Sequence, residues 1–358
     1  MTVTGKRLNI LLTRCQNIGD MLVFIPALRA LRQALPAARI TLLAKHAGGV
    51  EIIRACPYID ELLVVGDKSL GEKLRLLRAF RARAFDYFII SPQDLGKVPW
   101  AWLGGAKKIA GYKRVCNYGV WKKEKLPWLL DIAPLFDITR SEVEHCLRLV
   151  EDVLDDLGLE LPANVDTRVE YSWQSATDTQ RAQELLARYG IASGTRFVAV
   201  APVSKRPAKN WPLERYAEVI RRMQAAWSVP VVFLGGAAER DELSRLAALA
   251  GGACHSLAGE ATLAETAVVL QRAALCGGSD WGPTFLASAV GTPVIVLYGP
   301  ADFYRWSLPA ARAARIALFH PAPCNPCRHQ VCPLSPRCMD AISIEEVWQA
   351  CQSAWTKA

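Results

Sequence analysis

Three short stretches of this chain gather residue types suited to acid–base and anion chemistry. The first is Thr13-Arg14-Cys15-Gln16-Asn17-Ile18-Gly19-Asp20, directly after an apolar, strand-like run. A polar loop with a glycine between a strand and a helix can hold a ligand at the helix N-terminus. With a single glycine it is not a dinucleotide fingerprint. Asp20 falls where the helix starts, so it reads either as an N-cap or as a carboxylate base facing a cleft. The second stretch runs from Pro202 to Pro212 and carries Ser204, Lys205, Arg206 and Lys209. A pyrophosphate is matched by lysine point charges and by N–H groups at a helix start, although a solvated basic loop has the same composition. The third is Gly277-Gly278-Ser279-Asp280-Trp281-Gly282-Pro283-Thr284. Its small residues let the backbone approach an anion, and the helix start near Pro283 adds positive potential.

Two more clusters have a composition of their own. Of eleven cysteines, Cys324, Cys327, Cys332 and Cys338 lie close together. A CxxC with two further thiols suits a structural tetrathiolate site for zinc or iron, but the later pair is not a second CxxC. Reduced thiols and a local disulfide stay open, and no base is placed to make these thiols nucleophiles. Residues 107–125 hold Lys107, Lys108, Lys113, Arg114, Lys122, Lys123 and Lys125, interleaved with Tyr112, Tyr118 and Trp121. Basic plus aromatic suits an acidic acceptor and an anionic membrane surface. A solvated loop is the plain alternative, and no nucleic-acid module motif accompanies the charge.

The elements that must position these loops alternate. Apolar runs at Leu8 to Leu12, Ile40 to Leu43, Glu61 to Val65 and Phe85 to Ile90 are separated by helical periods, the first spanning Met21 to Leu35. A less regular stretch covers residues 92–140, and a helix from Ser141 to about Leu157 ends at Gly158. Residues 160–178 read as the linker. The rhythm restarts with strands near Phe197 and Pro230. A helix follows Pro212, another runs from Thr262 to Ala273 with Thr262 and Glu265 as its capping pair, and a strand covers Val294 to Tyr298. Repeated βαβ units imply an α/β protein with two mainly parallel, doubly wound sheets. The predicted division is residues 1–170 and 180–358, with the last helix free to pack back on the first domain. Ligands in such folds bind at the carboxyl ends of strands, which makes a cleft between domains the expected active site.

With 358 residues, 51% of them hydrophobic, the chain has material for two cores. A formal charge of +9 favours an anionic partner. No run of about 18 apolar residues is present, and the start shows no signal-peptide pattern. A cytoplasmic protein is expected.

The three loops, together with Pro26-Ala27-Leu28-Arg29-Ala30-Leu31, Lys209-Asn210-Trp211-Pro212-Leu213-Glu214-Arg215, Leu234-Gly235-Gly236, Ser256-Leu257-Ala258-Gly259, Gly291-Thr292-Pro293-Val294 and Tyr298-Gly299-Pro300, stand in an order that resembles the lipopolysaccharide heptosyltransferase family over nearly the whole chain. The resemblance implies a GT-B fold, with the acceptor held by the first domain and the nucleotide sugar by the second. It implies an inverting transfer of heptose from ADP-heptose to a core-oligosaccharide or related glycan acceptor, with no cofactor required for catalysis. By matched position, Asp20 is the base and Lys209 the lysine on the donor pyrophosphate. Ser204 and Lys205 are neighbouring phosphate contacts, Glu239 meets the ribose, Asp280 meets the sugar hydroxyls, and Gly282 opens the helix. Trp281 and Phe285 replace a small hydroxyl residue and a histidine common in the family, so Trp281 joins the donor candidates as a stacking or blocking ring. Lys107, Lys113, Arg114, Lys122, Lys123 and Lys125 are the candidates for acceptor and inner-membrane contact. Another nucleotide sugar as donor, or a non-catalytic sugar-nucleotide or glycan-binding protein, are the rival readings. Retention of Asp20 and Lys209 speaks against a pure binder.

Overall fold

The computed structural model describes residues 7–67, 69–307, 313–334 and 337–356. The chain divides into two compact units, one of Met1–Val169 with Tyr304–Pro309, the other of Glu170–Phe303 with Ala310–Ala358.

The first unit follows the order β1 (Asn9–Thr13), α1 (Ile18–Leu22), α2 (Ile25–Ala34), β2 (Arg39–Ala44), α3 (Ala47–Ile53), β3 (Glu61–Val64), α4 (Leu70–Arg83), β4 (Tyr87–Ile90), α5 (Val98–Leu103), β5 (Lys108–Ala110), β6 (Arg114–Asn117), β7 (Val120–Lys123) and α6 (Glu142–Asp156). Its main sheet is ordered β3-β2-β1-β4-β5, and every pairing in it is parallel. β4 is buried along its whole length and β1 nearly so. Their sequences are therefore continuous apolar runs rather than alternating ones, as strands covered on both faces must be. The sequence suggested a single helix from Met21 to Leu35, but the structure breaks it between Leu22 and Ile25. Pro26, at the start of α2, has no N–H to continue an earlier turn, and its ring excludes the carbonyl four residues back. α6 opens with Ser141 and Glu144 in a reciprocal capping box, which fixes where its buried face begins.

The second unit follows with α7 (Ala176–Arg188), β8 (Val198–Ala201), α8 (Leu213–Trp227), β9 (Val231–Phe233), α9 (Arg240–Ala250), β10 (Cys254–Ser256), α10 (Leu263–Arg272), β11 (Leu275–Ser279), α11 (Gly282–Val290), β12 (Val294–Tyr298), β13 (Arg315–Phe319), α13 (Arg337–Asp340) and α14 (Ile344–Trp355), while α12 (Phe303–Trp306), between β12 and β13 in the chain, belongs to the first unit from Tyr304 on. Its sheet, β10-β9-β8-β11-β12-β13, is again wholly parallel. The stretch read as linker already contains the start of α7, whose Ser175 and Asp178 form a capping box. Thr262 and Glu265 cap α10 as their spacing suggested. The last helix, α14, lays Val347, Ala350, Cys351 and Ala354 on the second unit's own core. Trp348 and Trp355 stack on Trp227 of α8, at ring separations of 5.2 and 4.4 Å. The stacked, half-buried indoles add apolar contact to the seat that the buried face of α14 already takes on this core.

Candidate active-site residues

In each unit the strand order reverses beside the first strand, at β1/β4 and at β8/β11. Crossovers leave to opposite sides at such a point and open a crevice at the strands' carboxyl ends. The three sequence loops follow β1, β8 and β11, so topology places each of them at a crevice of its own unit.

In the first unit the cap position of α1 belongs to Asn17, and Asp20 lies within the first turn. The cap reading of Asp20 therefore gives way to a carboxylate with 22% of its side chain exposed. The loop before it is held from the turn that follows β4. Asp94 is buried and accepts from the backbone N–H of Cys15 at 2.9 Å and from the Gln16 amide at 3.2 Å. Arg14 is fully buried and donates to the Asp20 carbonyl oxygen at 2.8 Å. Sequence reasoning missed both Asp94 and Arg14. Asp94 is 79 residues from its partner, and no local spacing reports so remote a contact.

In the second unit the loops after β8 and β11 meet through Lys209 and Asp280. The ammonium donates to the Asp280 carboxylate at 2.5 Å and to its backbone carbonyl at 2.9 Å. Burial pushes the Asp280 carboxyl up from the ordinary range, and Lys209 offsets part of that. The other carboxylate oxygen, Oδ1, is buried and has no hydrogen-bond partner among the described residues. Gly278 allows the two loops to come so close, because a Cβ there would lie 2.4 Å from the Ala201 carbonyl oxygen. Gly282 opens α11 with Pro283 behind it, and the helix start adds its partial positive charge.

The remaining donor candidates are more engaged than the sequence suggested. Ser204 is buried, and its hydroxyl closes its own loop by donating to the Arg206 carbonyl at 2.9 Å. Lys205 is exposed. The Glu239 carboxylate accepts the N–H of Gly236 and closes the turn after β9. The Trp281 indole is tied to the Ala201 carbonyl at 3.3 Å, so the ring has a fixed orientation beside the Lys209–Asp280 pair. Phe285 is buried.

The stretch read as irregular contains α5, β5 and an antiparallel hairpin, β6 with β7, turning at Tyr118 and Gly119, both at positive φ. The two-residue turn was its sequence signal. Lys113, Arg114, Lys122, Lys123 and Lys125 are exposed, and Arg114 lies over the Trp121 ring at 4.7 Å. Lys107 is tied to Asp86 at 2.7 Å and Lys108 to Asp156 at 2.5 Å, which makes them partners of the fold's own carboxylates. Tyr112 is a core ring, its hydroxyl donating to the His145 carbonyl at 3.0 Å. Trp121 of the same stretch and nearby Trp128 are at the surface, 44% and 73% exposed.

Cys324, Cys327, Cys332 and Cys338 line one cavity, and all eleven cysteines are free thiols. Among the described residues no group of three or more His, Cys, Asp or Glu side chains is placed to hold a metal ion. The four thiols suit such an ion by composition, with Cys338 buried on α13 and Cys324 exposed on a loop. No helix among the described residues is long and apolar enough to cross a membrane.

Comparison with known proteins agrees with this fold. The chain is 27% identical over 303 residues to lipopolysaccharide heptosyltransferase 3 of Escherichia coli K12, covering 80% of this chain and 81% of that one. A family 9 glycosyltransferase from Veillonella parvula superposes with a TM-score of 0.78 at 20% identity, covering 98% of both chains. The E. coli ADP-heptose lipopolysaccharide heptosyltransferase II superposes with a TM-score of 0.75 at 18% identity, covering 98% of this chain and 99% of that one. Two Rossmann-like units in one chain make this the GT-B fold. The family model for glycosyltransferase family 9 (heptosyltransferase) matches residues 73–337, and the chain belongs to that family.

Proposed function

We propose that this chain transfers heptose from ADP-heptose to a lipopolysaccharide core or related glycan acceptor, with inversion at the anomeric carbon. One observation carries the reading: each unit presents its chemistry-bearing loops at the crevice of its own switch point, Asp20 after β1 and the Lys209–Asp280 pair across β8 and β11. The names of the relatives supply the sugar and nucleotide. Asp20 takes the proton of the acceptor hydroxyl as its oxygen bonds to the anomeric carbon. The bond from that carbon to the diphosphate breaks, and its electron pair leaves with ADP. Lys209 and the start of α11 stabilise the charge on the departing phosphates. The unpartnered Oδ1 of Asp280 is placed to accept from a donor-sugar hydroxyl. No step runs through a metal ion.

The test is ADP release from ADP-heptose, in EDTA, with de-O-acylated core glycan from a strain lacking this gene. Release that needs both substrates supports transfer. Release restored only by magnesium or manganese refutes the metal-free step, and donor binding without release refutes an enzyme.

The acceptor class implies work at the cytoplasmic face of the inner membrane, and the hairpin is the proposed contact. Each lysine near an anionic leaflet contributes about 1 kcal/mol, reduced by salt. Lys122, Lys123 and Lys125 replaced together by Gln should weaken binding to phosphatidylglycerol vesicles at least tenfold and leave ADP affinity unchanged. Vesicle binding indifferent to salt and to these changes would make the hairpin an ordinary solvated surface.

A further inference from the structure

Arg14 has no task in the transfer just described, yet its side chain is entirely buried. A guanidinium taken out of water persists only where its charge and its N–H groups are met. Nε donates to the Asp20 carbonyl oxygen at 2.8 Å. Nη1 donates to Glu142 at 2.7 Å and lies 3.5 Å from the Ser91 hydroxyl. Nη2 makes no hydrogen bond with a described residue, and it stands 3.9 Å from Oδ1 of Asp20. Glu142 is itself buried, and Arg305 grips its second oxygen through Nε at 2.8 Å and Nη2 at 2.7 Å. Burial alone would raise the Glu142 carboxyl, but Arg305 and Arg14 hold it below the ordinary range, so it is charged. Among the described residues the two guanidinium groups share the one Glu142 carboxylate, and Asp20 brings a second carboxylate beside Arg14.

We propose that Arg14 is the positioning residue for Asp20. Through Nε it fixes the turn that carries Asp20, and through Nη2 it aims the carboxylate, while Glu142 and Arg305 clamp the guanidinium in place. The inference rests on Asp20 acting as the base. It adds the reason why a carboxylate on a five-residue helix keeps one orientation.

Other groups around Asp20 leave this charge relation in place. Cys146 on α6 is buried, and burial pushes its thiol up, so it stays neutral. α3, packed on α1, carries Glu51, with His46 at its cap. Asp94, Lys97 and Lys45 surround the neighbouring Cys15.

The test is the pH profile of kcat for ADP release, with ADP-heptose and the de-O-acylated core glycan. Arg14→Gln removes one positive charge and leaves Glu142 paired with Arg305, so no lone buried charge results. Activities are normalised to folded protein, counted by ADP binding. Arg14→Gln is expected to lower kcat by up to about 100-fold, the scale of a misplaced catalytic group. It should also raise the acid limb by about one pH unit, because the carboxylate has lost a cation. Donor KM should stay put. Arg14→Lys keeps the charge, so it should return the limb to its wild-type position and recover part of kcat, since a point charge cannot hold two partners as the fork does. A loss that disappears on normalisation, or a limb that does not move in Arg14→Gln, overturns the inference. Asp20→Asn runs in parallel. If it keeps full turnover, the reading of Asp20 as base is what failed. If it is inactive while Arg14→Gln is unaffected, only the role of Arg14 is lost.

Discussion

Asp20→Ala is expected to lower turnover by about 100-fold or more, the usual scale for removing a general base. ADP affinity should not change, because the groups assigned to the phosphates all belong to the second unit. Paired measurements of kcat and of ADP binding by calorimetry check both halves. The competing role for an acid in the first turn of a helix is stabilisation of the helix dipole, worth about 0.3–1 kcal/mol. That role would lower stability slightly and leave turnover within a few-fold of the native enzyme. Asp20→Ala also strips a carboxylate from the buried Arg14 cluster, so some loss of thermal stability accompanies it. Asp20→Asn keeps the shape and should be equally inactive, which separates chemistry from folding.

The second large effect is expected at Lys209. Lys209→Ala should weaken ADP binding by roughly 1.5–3 kcal/mol, the range for a hydrogen bond to a charged group. The structure adds a consequence for its partner. Asp280 already has its carboxyl raised by burial, and without Lys209 it is driven further toward the neutral acid. Asp280→Asn has the opposite sign for the nucleotide alone: it releases Lys209 from a competing carboxylate, so ADP should bind more tightly. Transfer from ADP-heptose should slow in the same variant, because an amide is a poorer acceptor for a sugar hydroxyl. Calorimetry with ADP on both single variants and the double variant checks this. An Asp280→Asn protein that loses as much ADP affinity as Lys209→Ala would make the pair a structural unit rather than a competition.

Much of the architecture was legible in the chain itself, because apolar runs and helical periods are local patterns. Four strands of the first sheet and the α/β class follow from them, and the ordered motifs led to the family that the comparisons then showed. Capping chemistry was equally local: Thr262 and Glu265 lie three residues apart and close the same turn. The order of strands was not legible. Which strands neighbour β1 and β8 depends on packing helices over both faces, and only that order puts the Lys209 and Asp280 loops beside one another. Long-range electrostatics was hidden as well. Arg14 finds Glu142 across 128 residues and Glu142 finds Arg305 across 163, and nothing in the spacing of the three announces a buried cluster. Composition misled where burial decides. Tyr112 looked like part of an aromatic, basic surface, but the fold drew the ring into its core. Lys107 stays at the surface and has Asp86 as a neighbour that its spacing did not announce. A residue's type is written in the sequence, but whether its charge or ring faces water depends on which distant segment lies over it, and only the tertiary structure decides that.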